Sequence, residues 1–275
     1  MKNAKALPEI WRGKWALVTG ASSGIGRAIA EKLAASGAHL VLTARRADRL
    51  HELRDALESR YGIEAHCVPA DLCDPQAPHR IFSFTEERNL VIDVLVNNAG
   101  LSAYGEFFAS QLDRELAMVQ VHCHAVVHLT HLYLRGMIER RTGHILMVAT
   151  TALIPAPYIA TYAATKGFDQ LFAEGLAEEV ARYGVRVSAL CPGPTASEMV
   201  ITTDGDSARS HPSLQSAEEV ASLALRGMAQ GKPCIRTSVA ARITANLPRF
   251  LPRATVSGMT ERAYRPKGIG QRTRS

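Results

Sequence analysis

The sequence predicts a doubly wound α/β fold, a parallel sheet with helices on both faces, as a single domain. Short apolar segments alternate with helical segments along most of the 275 residues, and this alternation is typical of parallel strands joined by helices. A hydrophobic content of 47% is sufficient for one large core. A glycine-rich turn between the first strand and the first helix is the third indication.

Strands are predicted where short apolar or β-branched runs stand between turn-forming residues. They cover residues 15–19, 39–43, 65–69, 94–97, 144–148 and 185–191. Helical periodicity falls between these strands. The predicted helices cover residues 27–36, 47–60, 76–89, 113–137, 160–183 and 217–230.

The turn after the first strand carries the pattern of a nucleotide site. Its glycines allow positive φ and let backbone N–H groups approach a diphosphate, which the following helix dipole stabilises. A structural turn without ligand is the alternative, but the position between strand and helix is the one that a dinucleotide fingerprint requires. The candidate binding residues are Gly20, Ser22, Ser23, Gly24, Ile25 and Gly26.

Tyr162 and Lys166 stand four residues apart in a helical segment, so their side chains point the same way. An ammonium beside a phenol favours the phenolate, and lowering a tyrosine pKa from ~10 towards neutrality takes about 4 kcal/mol. The same spacing also occurs in exposed amphipathic turns. Combined with the nucleotide-binding turn, it predicts a tyrosine that exchanges a proton with a substrate.

Four motifs occur in order, and together they are specific. They are Thr19–Gly26, Asn97–Gly100, Tyr162 with Lys166, and Pro192 with Gly193. With them the chain resembles the short-chain dehydrogenase/reductase family, from about residue 14 to residue 230. The resemblance implies one Rossmann-type domain, assigned to residues 1–241, followed by a basic C-terminal extension over residues 242–275.

The resemblance also implies chemistry. Hydride would pass between a nicotinamide cofactor and a carbonyl or alcohol, with Tyr162 as general acid/base and Lys166 also holding the nicotinamide ribose. Asp71 and Leu72 would lie near adenine. Residues resembling further cofactor contacts are Asn98, Ala99 and Gly100 near the adenosine ribose, and Pro192, Gly193 and Thr195 near the nicotinamide. Subunit contacts, and hence a homodimer or homotetramer, are implied by analogy.

The cofactor is predicted to be NADP(H). At the end of the second strand, where a carboxylate would accept hydrogen bonds from an NAD ribose, the chain has Arg45 and Arg46. An arginine fork donates two parallel hydrogen bonds, which suits a 2′-phosphate. One of the two arginines is expected to be only a solvated charge at the helix start.

Two positions depart from the family pattern. The usual serine falls at Ala149 by simple counting, whereas alignment of the flanking segments places Thr150 there, with Thr151 as the alternative. A threonine hydroxyl donates the same hydrogen bond to a substrate. The family's asparagine in the preceding helix is His122 here, which either acts through its backbone carbonyl or titrates and relays protons.

Histidines and cysteines do not predict a metal site. His124, His128 and His131 share one helix face, but no further ligands follow at a recognisable spacing, so a packed or interfacial helix is expected. The five cysteines lack metal or disulfide spacing and are expected to be reduced.

The net charge of +6 is located in the C-terminal extension, where residues 242–275 hold eight Lys or Arg and one acid. A solvated, partly ordered terminus is expected because prolines interrupt a continuous helix. Contact with an anionic lipid or other anionic surface is the alternative, and no specific nucleic acid is expected. With neither a long apolar run nor a signal peptide in the sequence, the expected location is the cytoplasm.

A substrate loop is predicted over about residues 195–216, which lack a strong pattern. The candidate substrate walls are mostly apolar, which favours a lipophilic ketone or aldehyde. They are Leu101, Leu153, Ile154, Pro155, Tyr158 and Met199. The function is therefore expected to be NADP(H)-dependent interconversion of a carbonyl and an alcohol. The alternative is a dinucleotide-binding regulatory or scaffold protein in which the altered Thr150 and His122 positions have lost catalysis.

Overall fold

The computed structural model describes residues 9–150, 154–196, 198, 214–238 and 251–266. Most of the predicted substrate loop, the positions of Thr151, Leu153 and Met199, and part of the basic extension lie outside these residues.

Seven parallel strands form one sheet in the order β3-β2-β1-β4-β5-β6-β7. The strands are β1 Trp15–Thr19, β2 His39–Ala44, β3 Ala65–Pro69, β4 Ile92–Asn97, β5 Gly143–Val148, β6 Val185–Cys191 and β7 Cys234–Arg236. The doubly wound fold is thus confirmed. The sequence analysis missed β7, because three residues are too short to show a periodicity.

Helices lie between the strands, and one follows the last strand. They are α1 Gly24–Ala35, α2 Ala47–Tyr61, α3 Ala77–Glu87, α4 Leu112–Val119, α5 Ala125–Glu139, α6 Ala160–Val180, α7 Ala217–Ala229 and α8 Arg253–Tyr264. The helix predicted over residues 113–137 is divided by a π turn at Gln120–His124. A π turn inserts one extra residue into the helical repeat, and this is invisible in a pattern of apolar residues.

The core has two halves, one on each face of the sheet. Val18 and Leu42 pack with α1, α2 and α7, whereas Leu17 and Val41 pack with α3, α5 and α6. Successive strand residues point to opposite faces. Because both faces are covered, the strands read as continuous apolar runs, and this is why the sequence predicted them well.

The strand order reverses between β1 and β4, which are hydrogen-bonded neighbours. Loops leaving the carboxyl ends of these two strands diverge towards opposite sides of the sheet. They open a crevice, which is where open α/β sheets bind ligands. The motifs identified in the sequence therefore meet at one edge of the sheet.

The C-terminal extension includes an ordered helix that packs against this edge. In α8 the Thr260 hydroxyl donates to Pro155 O at 2.7 Å, and Glu261 accepts a 2.9 Å hydrogen bond from the Tyr158 hydroxyl. Val256 of the same helix is buried. The prolines do not prevent this helix, because Pro252 precedes it and does not interrupt it.

Across the described parts of the chain, no helix combines the length and the apolar character needed to span a bilayer.

Replacing Gly26 with Ala tests the close contact between α1 and the glycine turn. A Cβ at Gly26 would lie 2.5 Å from Gly20 O and would also meet the Asn98 side chain. We expect the free energy of unfolding to fall by about 1–3 kcal/mol, as for other overpacked sites. Denaturant unfolding of the protein without cofactor measures this loss.

Gly175→Ala in α6 is the matched control, since a Cβ there meets nothing within 4 Å. It should leave stability unchanged or raise it by up to ~1 kcal/mol, because alanine favours the helix. Equal stability of the two variants would contradict the predicted clash.

Candidate active site

The turn after β1 presents open backbone N–H groups. Gly20 and Gly24 have φ values of +65° and +56°, which only glycine adopts without strain. Ser23 is the N-cap of α1, and its side chain makes no capping hydrogen bond. The N-terminal N–H groups of the helix are thus available to an anion, and the turn fits the diphosphate of a dinucleotide.

The Thr19 hydroxyl joins this turn to the loop after β4. It accepts hydrogen bonds from the backbone N–H groups of Asn98 and Ala99 at 2.8 and 2.9 Å and donates to Val96 O at 3.1 Å. The Asn98 side chain in turn donates to Thr19 O at 2.9 Å. These bonds fix the two walls of the crevice relative to each other, and Gly100 follows directly on the second wall.

Two arginines lie beside the turn, next to a cleft. Arg49 belongs to α2, and Arg46 is the residue before that helix. Arg46 donates to the hydroxyls of Ser22 and Ser23 at 3.1 and 2.9 Å and contacts the Glu198 carboxylate at 2.7 Å. Arg49 contacts the same carboxylate at 2.6 Å. Arg45 is exposed. Sequence reasoning missed Arg49, although its position one turn after Arg45 could have indicated it.

This cleft has a volume of about 440 Å³, and Ser22, Arg49 and Glu198 are among its lining residues. The two guanidiniums lower the pKa of Glu198 by hydrogen bonding. An anion is therefore stabilised at this place in the protein, next to the open N-terminus of α1.

Lys166 lies on α6 and is almost completely buried. Its ammonium donates to Val148 O at 2.6 Å and to Asp169 Oδ2 at 2.9 Å. A buried ammonium needs such partners because its transfer out of water is costly. Sequence reasoning missed Asp169, which stands three residues beyond Lys166 in the same helix.

The direction of the Tyr162 pKa shift differs from the sequence prediction. Burial raises the pKa of Tyr162, Lys166 lowers it by a smaller amount, and the Asp169 charge raises it further. The predicted lowering considered only the cation. In the structure, burial of the phenol outweighs the cation, and the Asp169 carboxylate beside the cation adds a smaller opposing effect.

His122 lies in the π turn, and both of its ring nitrogens are engaged. Its Nε2 accepts a 2.9 Å hydrogen bond from the Leu101 backbone N–H, and its Nδ1 lies 2.7 Å from the Thr165 hydroxyl. Thr165 Oγ1 donates to Tyr162 O at 2.9 Å. The neutral ring with its proton on Nδ1 satisfies this chain of bonds.

Burial and the charge of Lys166 hold the pKa of His122 well below its usual value. The ring therefore stays neutral and connects the loop after β4 to α6. This arrangement favours a structural role over the proton relay that the sequence left open.

A small pocket of about 30 Å³ lies against Tyr162. Tyr158 lines it in a left-handed conformation, φ +67°, and hydrogen-bonds to Glu261 of α8. Tyr104 also lines it and donates to Tyr264 O at 2.8 Å. Thus α8 is hydrogen-bonded to two of the residues that line the pocket, Tyr158 and Tyr104. No local sequence pattern could indicate these contacts.

Thr150 is half-buried and lies two residues beyond the end of β5. Of the other candidate walls, Leu101 packs against the core and Pro155 accepts the hydrogen bond from α8. The competing assignment to Thr151 falls outside the described residues.

The segment after β6 is held by two residues that sequence reasoning missed. Gly193 N–H donates to the Thr237 hydroxyl at 3.3 Å, and Thr195 pairs with Gln215 through a β-bridge. Thr195 Oγ1 also donates to Gly193 O at 2.9 Å. Pro192 is buried at the start of this segment.

The loop after β3 holds the remaining predicted contacts. Asp71 is exposed, and its carboxylate accepts a 3.0 Å hydrogen bond from the Cys73 backbone N–H. The Leu72 side chain packs in the core. Only the backbone and the Asp71 carboxylate thus remain for a ligand at this loop.

The histidine face of the α4–α5 segment is engaged in ring contacts. His124 and His128 meet edge to face with ring centroids 5.7 Å apart. Within the described ranges, no three His, Cys, Asp or Glu residues are grouped so as to hold a metal ion. All five cysteines are free thiols.

Comparisons with known proteins identify the family. The family model described as short chain dehydrogenase matches residues 14–207. The chain therefore belongs to the short-chain dehydrogenase/reductase family.

Individual relatives differ in substrate and cofactor. A very-long-chain 3-oxoacyl-CoA reductase-B from Danio rerio is 37% identical over 185 residues, which are 66% of this chain and 59% of that protein. A short-chain dehydrogenase from Sphingobium yanoikuyae, solved in complex with NADPH, matches with a TM-score of 0.77 and 28% identity over 83% of this chain and 90% of its own. A family member from Burkholderia phymatum, solved in complex with NAD, matches with a TM-score of 0.79 and 25% identity over 87% and 94%.

Replacing His122 with Asn tests whether this ring is structural. We expect the free energy of unfolding to fall by about 1–3 kcal/mol, because buried hydrogen bonds are lost. The midpoints of the pH profile of turnover should not move, since the wild-type ring does not titrate in the folded protein. His131→Asn on the exposed side of α5 is the control. A displaced midpoint in the His122 variant alone would instead identify a proton relay.

The same variant should change acid stability. In the folded wild-type protein His122 stays unprotonated, whereas in the unfolded chain it binds a proton below about pH 6.5. The wild-type protein therefore loses stability as the pH falls through that value, and the Asn variant should lose less.

Proposed function

We propose that this protein interconverts a lipophilic ketone or aldehyde and its alcohol with NADP(H), using Tyr162 as the general acid/base. The observation that carries the proposal is the position of Tyr162. It lies at a pocket beside the crevice of the sheet, one helical turn from a buried, hydrogen-bonded ammonium.

Each residue of the site has a separate role. When bound, the dihydronicotinamide supplies the hydride to the carbonyl carbon. Tyr162 donates its proton to the oxygen on which negative charge develops. Thr150 donates a second hydrogen bond to that oxygen from the end of β5. Two N–H donors of Lys166 are occupied by Val148 and Asp169, which leaves the third for the nicotinamide ribose.

The remaining predicted cofactor contacts fit this assignment. Asn98, Ala99 and Gly100 border the crevice on the side of β4, and the segment from Pro192 to Thr195 borders it on the side of β6. The family binds both NAD and NADP, and the choice rests on the arginines. The carboxylate of Glu198 between Arg46 and Arg49 occupies the place that we assign to the 2′-phosphate.

The substrate class rests on the pocket and on one relative. The pocket beside Tyr162 is lined by Ala103, Phe107 and Met118, by tyrosines and by the acidic side chain of Glu115, and this lining disfavours an anionic group. The Danio rerio relative is named for a 3-oxoacyl thioester, a ketone on a long apolar chain. We therefore assign a lipophilic ketone ahead of a sugar.

A homo-oligomer is also proposed. Leu112, Leu116 and Val119 lie on one exposed face of α4, and Leu171 of α6 is exposed as well. A contiguous apolar stripe of this kind marks a protein contact surface.

Tyr162→Phe tests the chemistry. The variant keeps the ring but loses the proton, so turnover should fall by about 10²–10⁴-fold, while NADPH affinity should stay nearly constant. A panel of aldehydes and ketones, followed through NADPH absorbance, gives the rates. Tyr183→Phe, in the turn after α6, is the matched control.

Two outcomes would count against this function. Turnover of Tyr162→Phe above one tenth of the wild-type rate would remove Tyr162 from its role. Binding of NADPH by the wild-type protein without turnover across the whole panel would favour the regulatory or scaffold protein.

Arg46→Ala tests the cofactor. Loss of one charge-assisted contact to a 2′-phosphate should weaken NADPH binding about 10-fold to 100-fold and leave NADH binding unchanged. Calorimetric titration of both cofactors measures the two constants. Arg54→Ala, about two turns further along α2, should change neither. Equal dissociation constants of NADPH and NADH for the wild-type protein would contradict the assignment.

A further inference from the structure

We propose that Asp169 is a positioning residue that neutralises Lys166 and keeps Tyr162 in its proton-donating form, so that carbonyl reduction is fast near neutral pH and alcohol oxidation requires alkaline pH. The proposal rests on the function proposed above. It goes beyond that function because it assigns a role to a buried carboxylate that the tyrosine and lysine alone do not require.

The geometry places three groups in a row on α6. Tyr162 precedes Lys166 by four residues, and Asp169 follows it by three, so all three side chains leave the same face of the helix. Asp169 Oδ2 lies 2.9 Å from Lys166 Nζ, and their side chains are only 2% and 5% exposed. Water cannot screen a pair this deeply buried, so the carboxylate cancels much of the ammonium's charge.

The second carboxylate oxygen makes the pairing unusual. Asp169 Oδ1 is buried and has no hydrogen-bond partner among the described residues. A carboxylate in an apolar surrounding normally needs several donors. Here its main stabilisation comes from Lys166, and burial raises the pKa of Asp169 against that attraction. The negative charge of this carboxylate opposes the effect of the ammonium on a Tyr162 phenolate.

The other groups that face this row do not supply a compensating positive charge. His122 in the π turn is neutral, as shown above. The neighbouring Cys123 thiol is also neutral, because burial and the charge of Asp169 raise its pKa to about 11. Glu115 of α4 lines the same pocket as Tyr162 and is a second carboxylate. Lys166 is therefore the single cation facing Tyr162 within the described residues, and Asp169 is paired with it.

The pairing shifts the pH range in which each direction of the reaction is fast. It leaves the equilibrium between carbonyl and alcohol unchanged. Reduction requires the protonated phenol, and oxidation of an alcohol requires the phenolate as base. A neutral Lys166–Asp169 pair favours the phenol up to a higher pH. Reduction then remains fast across neutral pH, whereas oxidation begins only where the phenolate forms.

Asp169→Asn removes the charge and keeps the shape. Tyr162 and Asp169 are seven residues apart, about 10 Å along the helix, and a unit charge at that distance in a protein shifts a pKa by about one unit. We expect the Tyr162 phenolate to form about one pH unit lower in the variant. The measurement is ultraviolet phenolate titration of each protein minus its Tyr162→Phe counterpart.

The kinetic counterpart is the pH profile of kcat/KM for alcohol oxidation with NADP⁺. Below the wild-type midpoint, Asp169→Asn should be about tenfold faster than the wild-type protein, because one pH unit is a factor of ten. Glu178→Gln, on the exposed face of the same helix, should leave both the titration and the profile unchanged. Asp169→Glu keeps the charge and should restore the wild-type midpoint.

An unchanged Tyr162 titration in a folded Asp169→Asn variant would overturn the proposal. If that variant does not fold, the wild-type titration still tests the proposal: a phenolate that forms below the ordinary tyrosine value of ~10 overturns it. These titrations need neither substrate nor cofactor. Absence of turnover with every substrate would overturn the proposed function while the titration result still stands.

Discussion

The buried ammonium of Lys166 is the interaction on which the site depends. Lys166 belongs to α6, and its ammonium donates to Val148 O at the end of β5 and to Asp169 further along α6. Neither oxygen alone would offset the cost of burying the charge. Because the bonds reach both the sheet and the helix, they fix how α6 sits over the sheet edge. The position of the Tyr162 hydroxyl relative to the crevice follows from this docking.

Most of the fold could be predicted because its signals are local. The strands β1, β2 and β4 are buried on both faces and show as apolar runs such as Trp15–Thr19, and the glycine turn stands directly between β1 and α1. The same holds for the family motifs, whose residues meet at the switch point. Short or exposed elements lack such signals, and β7 and α8 were missed for this reason.

The parts of the site that could not be predicted depend on contacts between distant residues. Glu198 reaches Arg46 across 152 positions, and Glu261 reaches Tyr158 across 103. Asp169 is near in sequence, but an acid three residues after a lysine is ordinarily an exposed helix pair. Only the packing of α6 shows that this pair is buried. The buried carboxylate then lowers the influence of Lys166 on the pKa of Tyr162.

His122 and Asp169 have one physical effect in common. His122 stays neutral because both ring nitrogens are bonded, and Asp169 cancels much of the charge of Lys166. Both arrangements leave little net charge around Tyr162. In such a region the charge that develops on a reacting oxygen interacts strongly with the nearest proton donor. The phenol of Tyr162 is that donor, and its proton is the one that the surrounding groups leave free to move.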